Sequence, residues 1–243
     1  MMAEVRVGTS GFAYKEWKPA FYPADLPQSR FLQYYASQFR SVEIDSTFYR
    51  MPNQATLDRW REASHPGFRF ALKASRRITH WERLRLPSGA LDYLTGALPR
   101  LEDRLGVVLF QLPPNFPSDA ERLALFLDSL PPGMTSAFEF RHDSWFSGDV
   151  YALLETHGAA LVIHDADDHA TPVEVTGTTT YLRLRKTRYT AKERAGWRRR
   201  FRAWQGAGID VYAFIKHEDN PDAPRIAREF AEGFQEAGVR EPL

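Results

Sequence analysis

Eight short apolar runs recur along the chain, and longer amphipathic segments separate them. The runs are Val5–Val7, the start of Ser41–Arg50 (SVEIDSTFYR), Phe68–Ala74, Gly106–Leu112, Thr135–Arg141, Ala159–His164, Thr180–Leu184 and Ile209–Ile215. The fourth, GVVLFQL, is almost continuously apolar, as expected of a strand covered on both faces. Between the runs, apolar residues fall at helical spacing. Phe31, Leu32, Tyr35, Ala36 and Phe39 make one stripe, and Leu57 and Trp60 begin another over Gln54–Ala63. Ser29 is expected to cap the first helix and Ser118 a helix running to Leu130. Further helices are expected over most of Gly89–Asp103, through His157, over Thr190–Gln205 and over Asp222–Ala237. The Gly/Thr-rich stretch after the sixth run predicts an irregular connection, and Tyr14–Tyr22 an aromatic loop.

Parallel strands need crossovers of helix length, so this alternation predicts an α/β fold. Eight repeats in 243 residues favour a closed single (β/α)8 TIM barrel over an open doubly wound sheet. No internal repeat, linker or low-complexity tract breaks the chain, and residues 1–243 are read as one domain.

Composition narrows the function classes. Net charge is +1, so no global basic field points to nucleic acid, and attraction for anions must come from local clusters. Without cysteine there is no disulfide, thiolate metal site or cysteine nucleophile. A strand within about five residues of the N-terminus, and no apolar run near the roughly 20 residues that span a bilayer, predict a cytoplasmic protein without membrane contact.

In a barrel of this kind the chemistry sits at the C-terminal strand ends. Those ends collect Thr9 and Ser10, Glu43 and Asp45, Lys73, Gln111, Glu139 and Arg141, His164 and Asp165, Arg183 and Arg185, and Lys216 and His217. Side chains alternate along a strand, so Glu43 and Asp45 share a face and need cationic partners if buried. Arg76, Arg77, Lys186 and Arg188 extend the positive charge into the loops. Arginine forks suit phosphate or carboxylate, so a small anionic ligand is expected at the mouth, with Arg141, Arg183 and Lys73 coordinating an oxyanion. Glu43, Glu139 and Lys73 are then the candidate catalytic groups, Glu43 or Glu139 as general base. The competing arrangement is a self-satisfied ionic network in which Glu43 and Glu139 neutralise the cations internally.

No cofactor is expected. His164, Asp165, His217, Glu43 and Glu139 are metal-ligand types, but no HxH or HExxH spacing occurs and neighbouring cations oppose a divalent metal. The run Trp197–Trp204 places Trp197, Phe201 and Trp204 on one inward face with arginines outside, either a solvated face or a nucleic-acid phosphate patch.

Several motifs together resemble the YecE-like proteins, a domain-of-unknown-function family with a TIM-barrel fold. They are Gly8-Thr9-Ser10-Gly11 with Trp17 and Phe21-Tyr22-Pro23, then Val42–Tyr49, Phe70–Ala74 with Thr79-His80, and Gln111–Pro114. Glu139–His142 with Trp145, Tyr181–Leu184 and Lys216–Asp219 complete the set. The chain departs from the family at Asp45 and at Lys216-His217, where asparagines are common. The resemblance implies the barrel and no established activity. It also implies a fold similar to endonuclease IV and sugar isomerases, which by analogy keeps a metal-dependent phosphodiesterase as an alternative. Nucleic-acid binding and a structural or protein-binding role stand as alternatives independently of the resemblance.

Overall fold

The computed structural model describes residues 2–216 and 221–234. Eight parallel strands form one sheet: β1 (Val5–Thr9), β2 (Ser41–Ile44), β3 (Arg69–Lys73), β4 (Leu105–Gln111), β5 (Ser136–Glu139), β6 (Ala160–Asp165), β7 (Thr179–Leu184) and β8 (Asp210–Ile215). Each strand from β2 to β8 pairs with the next, and β8 pairs with β1. The seam between β1 and β2 is shorter. Ser10 bridges to Glu43, and the Gly11 N–H donates to the Glu43 carbonyl at 2.7 Å. With that contact the sheet closes into the (β/α)8 barrel.

The seam depends on Gly8 in β1 and on one side chain from outside the sheet, Tyr35. Gly8 stands so close to β2 that a Cβ there would lie 2.1 Å from the Ser41 carbonyl oxygen. The Tyr35 hydroxyl fills the gap, accepting from the Thr9 N–H at 2.8 Å and reaching the Ser41 carbonyl at 3.3 Å. A tyrosine on the first helix thus replaces a missing ladder bond.

The helices are α1 (Phe31–Gln38), α2 (Gln54–Glu62), α3 (Gly89–Ala97), α4 (Ala120–Asp128), α5 (Gly148–Thr156), α6 (Ala191–Gly206) and α7 (Ala223–Ala231). Two expected caps are corrected. Ser29 lies inside a 3-10 turn, Gln28–Arg30, that leads into α1. α4 is capped by Asp119, whose carboxylate accepts from the Arg122 N–H, while the Ser118 N–H donates to Ser144 Oγ. An aspartate next to the serine offered the stronger acceptor. Thr190 and Glu193 form a capping box at the start of α6. The aromatic loop holds a 3-10 turn, Lys15–Trp17, and the loop after β3 winds into a π-helical turn, Arg77–Trp81. The connection after β6 is irregular, as its composition predicts, and is fastened to β6 by Thr171 and Thr176.

Two apolar layers result. Outward-facing strand residues such as Val42, Phe70, Phe110, Phe138 and Leu182 pack against the helices. The barrel interior is filled by Ala71, Val107, Leu109, Ala137, Ala160, Val162, Tyr181, Tyr212 and Phe214. Small residues on β3, β5 and β6 make room for the rings on β7 and β8, so the interior is a packed core and not a channel.

Candidate functional site at the barrel mouth

The strand period of two carries this interior upward into a polar layer. Two residues beyond the interior set, each strand turns Lys73, Gln111, Glu139, His164, Arg183 or Lys216 in the same direction, and β1 and β2 add Ser10 and Glu43. Neighbouring strands hold these side chains level, with Gln111 beside Glu139, His164 beside Arg183 and Ser10 beside Glu43. The same parity sends Thr9 and Asp165 the other way. Thr9 Oγ1 is spent on the Gly11 carbonyl and Tyr35 at the seam. Asp165 accepts from Trp197 Nε1 of α6 at 3.1 Å and pairs with Lys186 at 3.3 Å. As expected ligand contacts at the mouth, Thr9 and Asp165 are therefore corrected. Asp45 lies just past the end of β2, at the start of a 3-10 turn, and still reaches the mouth.

Arg183 is the hub. Its Nε and Nη2 donate to the two oxygens of Glu43 at 2.9 Å each, side-on and bidentate. Nη1 donates to Glu139 at 2.8 Å, and Nη2 also reaches Asp45 at 3.0 Å. Both edges of the guanidinium are thus given to carboxylates. Glu43 accepts further bonds from Ser10 Oγ at 2.5 Å, Tyr181 at 2.7 Å and Arg185 at 2.9 Å. Glu139 accepts from Arg141 Nε at 3.2 Å and lies 3.7 Å from His164 Nδ1. Tyr181 is a contributor that sequence reasoning missed. Its signal was its position two residues before Arg183 on the same strand face.

Electrostatics follow from this geometry. Burial alone pushes the Glu43 carboxyl up, but the charges of Arg183 and Arg185, and bonds from Arg183 and Ser10, outweigh it and hold it at about 2. Glu139 is likewise held well below the usual carboxylate range, against its burial, by Arg183, Arg141 and His164. Asp45 moves the other way: burial and the charge of Glu43 raise it despite Arg183, Arg185 and Lys73. Burial and the charge of Arg183 lower the Lys73 ammonium. Burial, with the nearby arginines, pulls His164 down to about 4, so its imidazole is neutral at pH 7.

Above this layer lies a cavity of about 470 Å³ lined by Asp45, Tyr49, Lys73, Arg141, His164, Arg183, Arg185 and Lys216, with Asp167, Asp168 and Thr187 at the rim. A second hollow next to it is walled by Glu139, Arg141, His164 and His169. A larger one of about 1010 Å³, beyond Arg185 and Lys216, is bounded by Arg188, Arg194 and Arg225. Of the expected site residues, Asp45, Lys73, Arg141, His164, Arg183, Arg185 and Lys216 converge on the mouth cavity. Ser10, Glu43, Gln111 and Glu139 form the buried layer beneath or beside it. His217 lies outside the described residues. Among those described, no three His, Asp or Glu side chains are grouped to hold a metal ion, and no helix is long and apolar enough to cross a membrane.

On α6, Trp197 and Phe201 are buried and Trp204 is half-buried. Arg198 bonds the Glu229 carbonyl and Glu232, while Arg200 and Arg202 lie over Trp197 and Phe234. Arg199, Arg200 and Arg202 nevertheless remain exposed, and Arg198 is half-buried.

A closed eight-stranded barrel with an arginine-centred ionic layer under its mouth defines the class. The chain belongs to the family described as protein of unknown function DUF72, whose model matches residues 6–242. Over 118 residues it is 36% identical to the UPF0759 protein YecE of Escherichia coli K12, covering 48% of this chain and 43% of that protein. It is 28% identical over 159 residues to the UPF0759 protein YunF of Bacillus subtilis, covering 60% of this chain and 54% of that protein. The chain thus spans about half the length of these curated relatives. The crystal structure of a DUF72 family protein from Thermotoga maritima is similar throughout, with 26% identity, TM-score 0.79, and coverage of 93% of this chain and 96% of that one.

Proposed function

We propose that the barrel mouth recognises a small anionic molecule, phosphorylated or carboxylated. Charge balance carries this reading. Within the ion-paired cluster Arg183, Arg185, Arg141 and Lys73 contribute four positive charges against the three carboxylates of Glu43, Asp45 and Glu139. Lys216 on the wall is opposed by Asp167 and Asp168 at the rim. The balance is also layered. Glu43 and Glu139 are 0% and 1% exposed beneath the cavity, whereas the Arg141 side chain is 42% exposed at its wall. Arg141 is thus the most open charge of the cluster, and Asp45, 33% exposed, is the one counter-charge of the cluster that shares the cavity with it. The rim acids Asp167 and Asp168 repel an anion most strongly at the entrance, so its seat lies away from them, beside Arg141 and Lys73.

The roles expected of the carboxylates shift accordingly. Glu43 and Glu139 are too tightly held as anions to serve as general bases, and their part is to fix Arg183. Arg183 in turn is occupied by them, so the oxyanion falls to Arg141, Lys73 and Arg185. Asp45 and Lys73 face the cavity 3.9 Å apart, an acid raised and a base lowered toward neutrality. Opposed shifts in adjacent groups are the arrangement that proton transfer needs, which makes this pair the catalytic candidate if the ligand is turned over.

Titration calorimetry with inorganic phosphate and a three-carbon sugar phosphate tests the reading. Both should bind the wild type, and Arg141→Ala or Lys73→Met should weaken binding at least tenfold with the fold intact. Unchanged affinity in both variants, or no binding by the wild type, would set it aside.

A further inference from the structure

The cavity has an aromatic extension that an anion alone leaves without a role. Tyr49 and Trp81 are large rings left 70% and 62% exposed. They come from different loops, Tyr49 after the 3-10 turn that follows β2 and Trp81 at the end of the π-helical turn that follows β3. The Arg76 guanidinium joins them, 5.7 Å from the Tyr49 ring centre and 4.9 Å from that of Trp81. Tyr49 is itself part of the cavity wall. Its ring meets Phe48 edge-on at 5.1 Å, and the Lys73 ammonium lies 4.3 Å from the Phe48 ring centre. A continuous series of ring, cation and ring therefore leads from the anion seat at Lys73 out to solvent at Trp81.

Single exposed apolar residues need no explanation. Two aromatic rings bridged by one guanidinium and adjoining a cationic cavity form a stacking surface. From this we infer that the anion taken by the mouth carries a planar aromatic base. The ligand class is a nucleoside monophosphate, its phosphate beside Arg141 and Lys73 and its base on the Tyr49–Arg76–Trp81 surface. Aromatic side chains stack on any base, and an arginine plane adds a cation–π contribution. A sugar fits this surface less well. Its stacking face presents C–H groups with partial positive charge, which a guanidinium between the rings repels, whereas the π face of a base is attracted. A cavity of about 470 Å³ lies within the usual range for a ligand of this size. The inference rests on the anion site proposed above and adds what the anion is attached to.

The experiment compares adenosine 5′-monophosphate, ribose 5-phosphate and inorganic phosphate on wild type, Trp81→Ala and Trp81→Phe, with calorimetry and tryptophan fluorescence as readouts. The nucleotide should bind the wild type at least tenfold more tightly than ribose 5-phosphate and quench its fluorescence. Trp81→Ala should remove that advantage, Trp81→Phe should keep most of it, and ribose 5-phosphate should bind all three alike. Trp81 is exposed, so neither change threatens the fold. Equal affinity for nucleotide and sugar phosphate, or a nucleotide affinity indifferent to Trp81→Ala, overturns the inference while leaving the anion site standing. Failure of all three phosphates to bind removes both. A single-stranded oligonucleotide binding more than tenfold tighter than the nucleotide, with a steep salt slope, would overturn the mononucleotide in favour of a polymer.

Discussion

Glu43 and Arg183 lie 140 residues apart in the chain and meet side-on inside the barrel, with Nε and Nη2 each 2.9 Å from a carboxylate oxygen. The same guanidinium reaches Glu139 on β5, so β2, β5 and β7 are joined through one side chain. A buried charge that loses its partner is far more costly than the pair is stabilising. Arg183→Ala should therefore lower stability by about 3–5 kcal/mol, leaving two buried carboxylates facing one another. Adding Glu43→Gln to it should recover part of the loss, because one stranded charge is removed. Urea unfolding of the two single variants and the double variant measures this coupling. Strict additivity would mean that the pair is not a unit.

Acid should weaken the fold in two stages. Glu43, at about 2 in the folded state against 4.5 when unfolded, contributes stability that is fully present above the unfolded value and lost as pH falls toward 2. Glu139 acts in the same direction, and Asp45, raised by burial and by Glu43, opposes them in part. His164, lowered from 6.5 to about 4, is protonated more readily in the unfolded chain, so its contribution is lost between those values as pH falls. Chemical denaturation from pH 8 to pH 3 should thus show a shallow decline from about pH 7 and a steeper one below about pH 5. His164→Asn should reduce the shallow stage without abolishing it, because burial lowers His65 and His80 in the same direction, and should leave the steeper stage in place.

The seam between β1 and β2 makes a separate prediction. Tyr35→Phe deletes the hydroxyl that accepts from the Thr9 N–H and leaves that donor buried. The expected cost is about 1–3 kcal/mol, the desolvation penalty of an unsatisfied amide. Gly8→Ala should be worse, since its Cβ would meet backbone at 2.1 Å and not a side chain that can turn away. Hydrogen exchange at Thr9 and Gly11 reports the seam directly. Unchanged protection in Tyr35→Phe would mean that the hydroxyl does not hold it.

Lys73 should be unusually reactive. Its ammonium is lowered by burial and by Arg183, so amine-directed reagents should label it at a lower pH than an exposed lysine, once access is matched. A bound anion restores charge to the group, so phosphate should slow that labelling. Labelling indifferent to phosphate would separate Lys73 from the anion seat.

The barrel was legible because its two signals are local: eight apolar runs and the helix-length stripes between them. The strand-end set was legible for the same reason. Lys73, Glu139, His164, Arg183 and Lys216 each follow an apolar body at a fixed parity. Parity counted strand by strand would also have turned Thr9 and Asp165 away from the mouth and brought in Tyr181. What one chain could not show is which charge faces which. Whether Arg183 serves a ligand or Glu43 and Glu139 depends on side-chain reach across the closed barrel, which no spacing encodes. The Tyr35 seam was hidden similarly, since the residue reads as one more apolar position on a helix stripe. Arg76 was legible as a loop cation, but not that its guanidinium joins Tyr49 to Trp81.

Arg141 is where the two accounts of the mouth part most sharply, because Arg183 continues to hold Glu139 without it. The measurement is a thermal melt of wild type and Arg141→Ala, each with and without phosphate. An anion seat predicts that the variant alone melts close to the wild type, since a partly exposed pair contributes about 0–1 kcal/mol. It also predicts that phosphate at about a hundred times its wild-type Kd raises the wild-type Tm by roughly 5–10 °C and the variant's by at most about half as much. A wild type indifferent to phosphate, with Arg141→Ala melting far lower, would contradict it and make the mouth a network that only holds the barrel together.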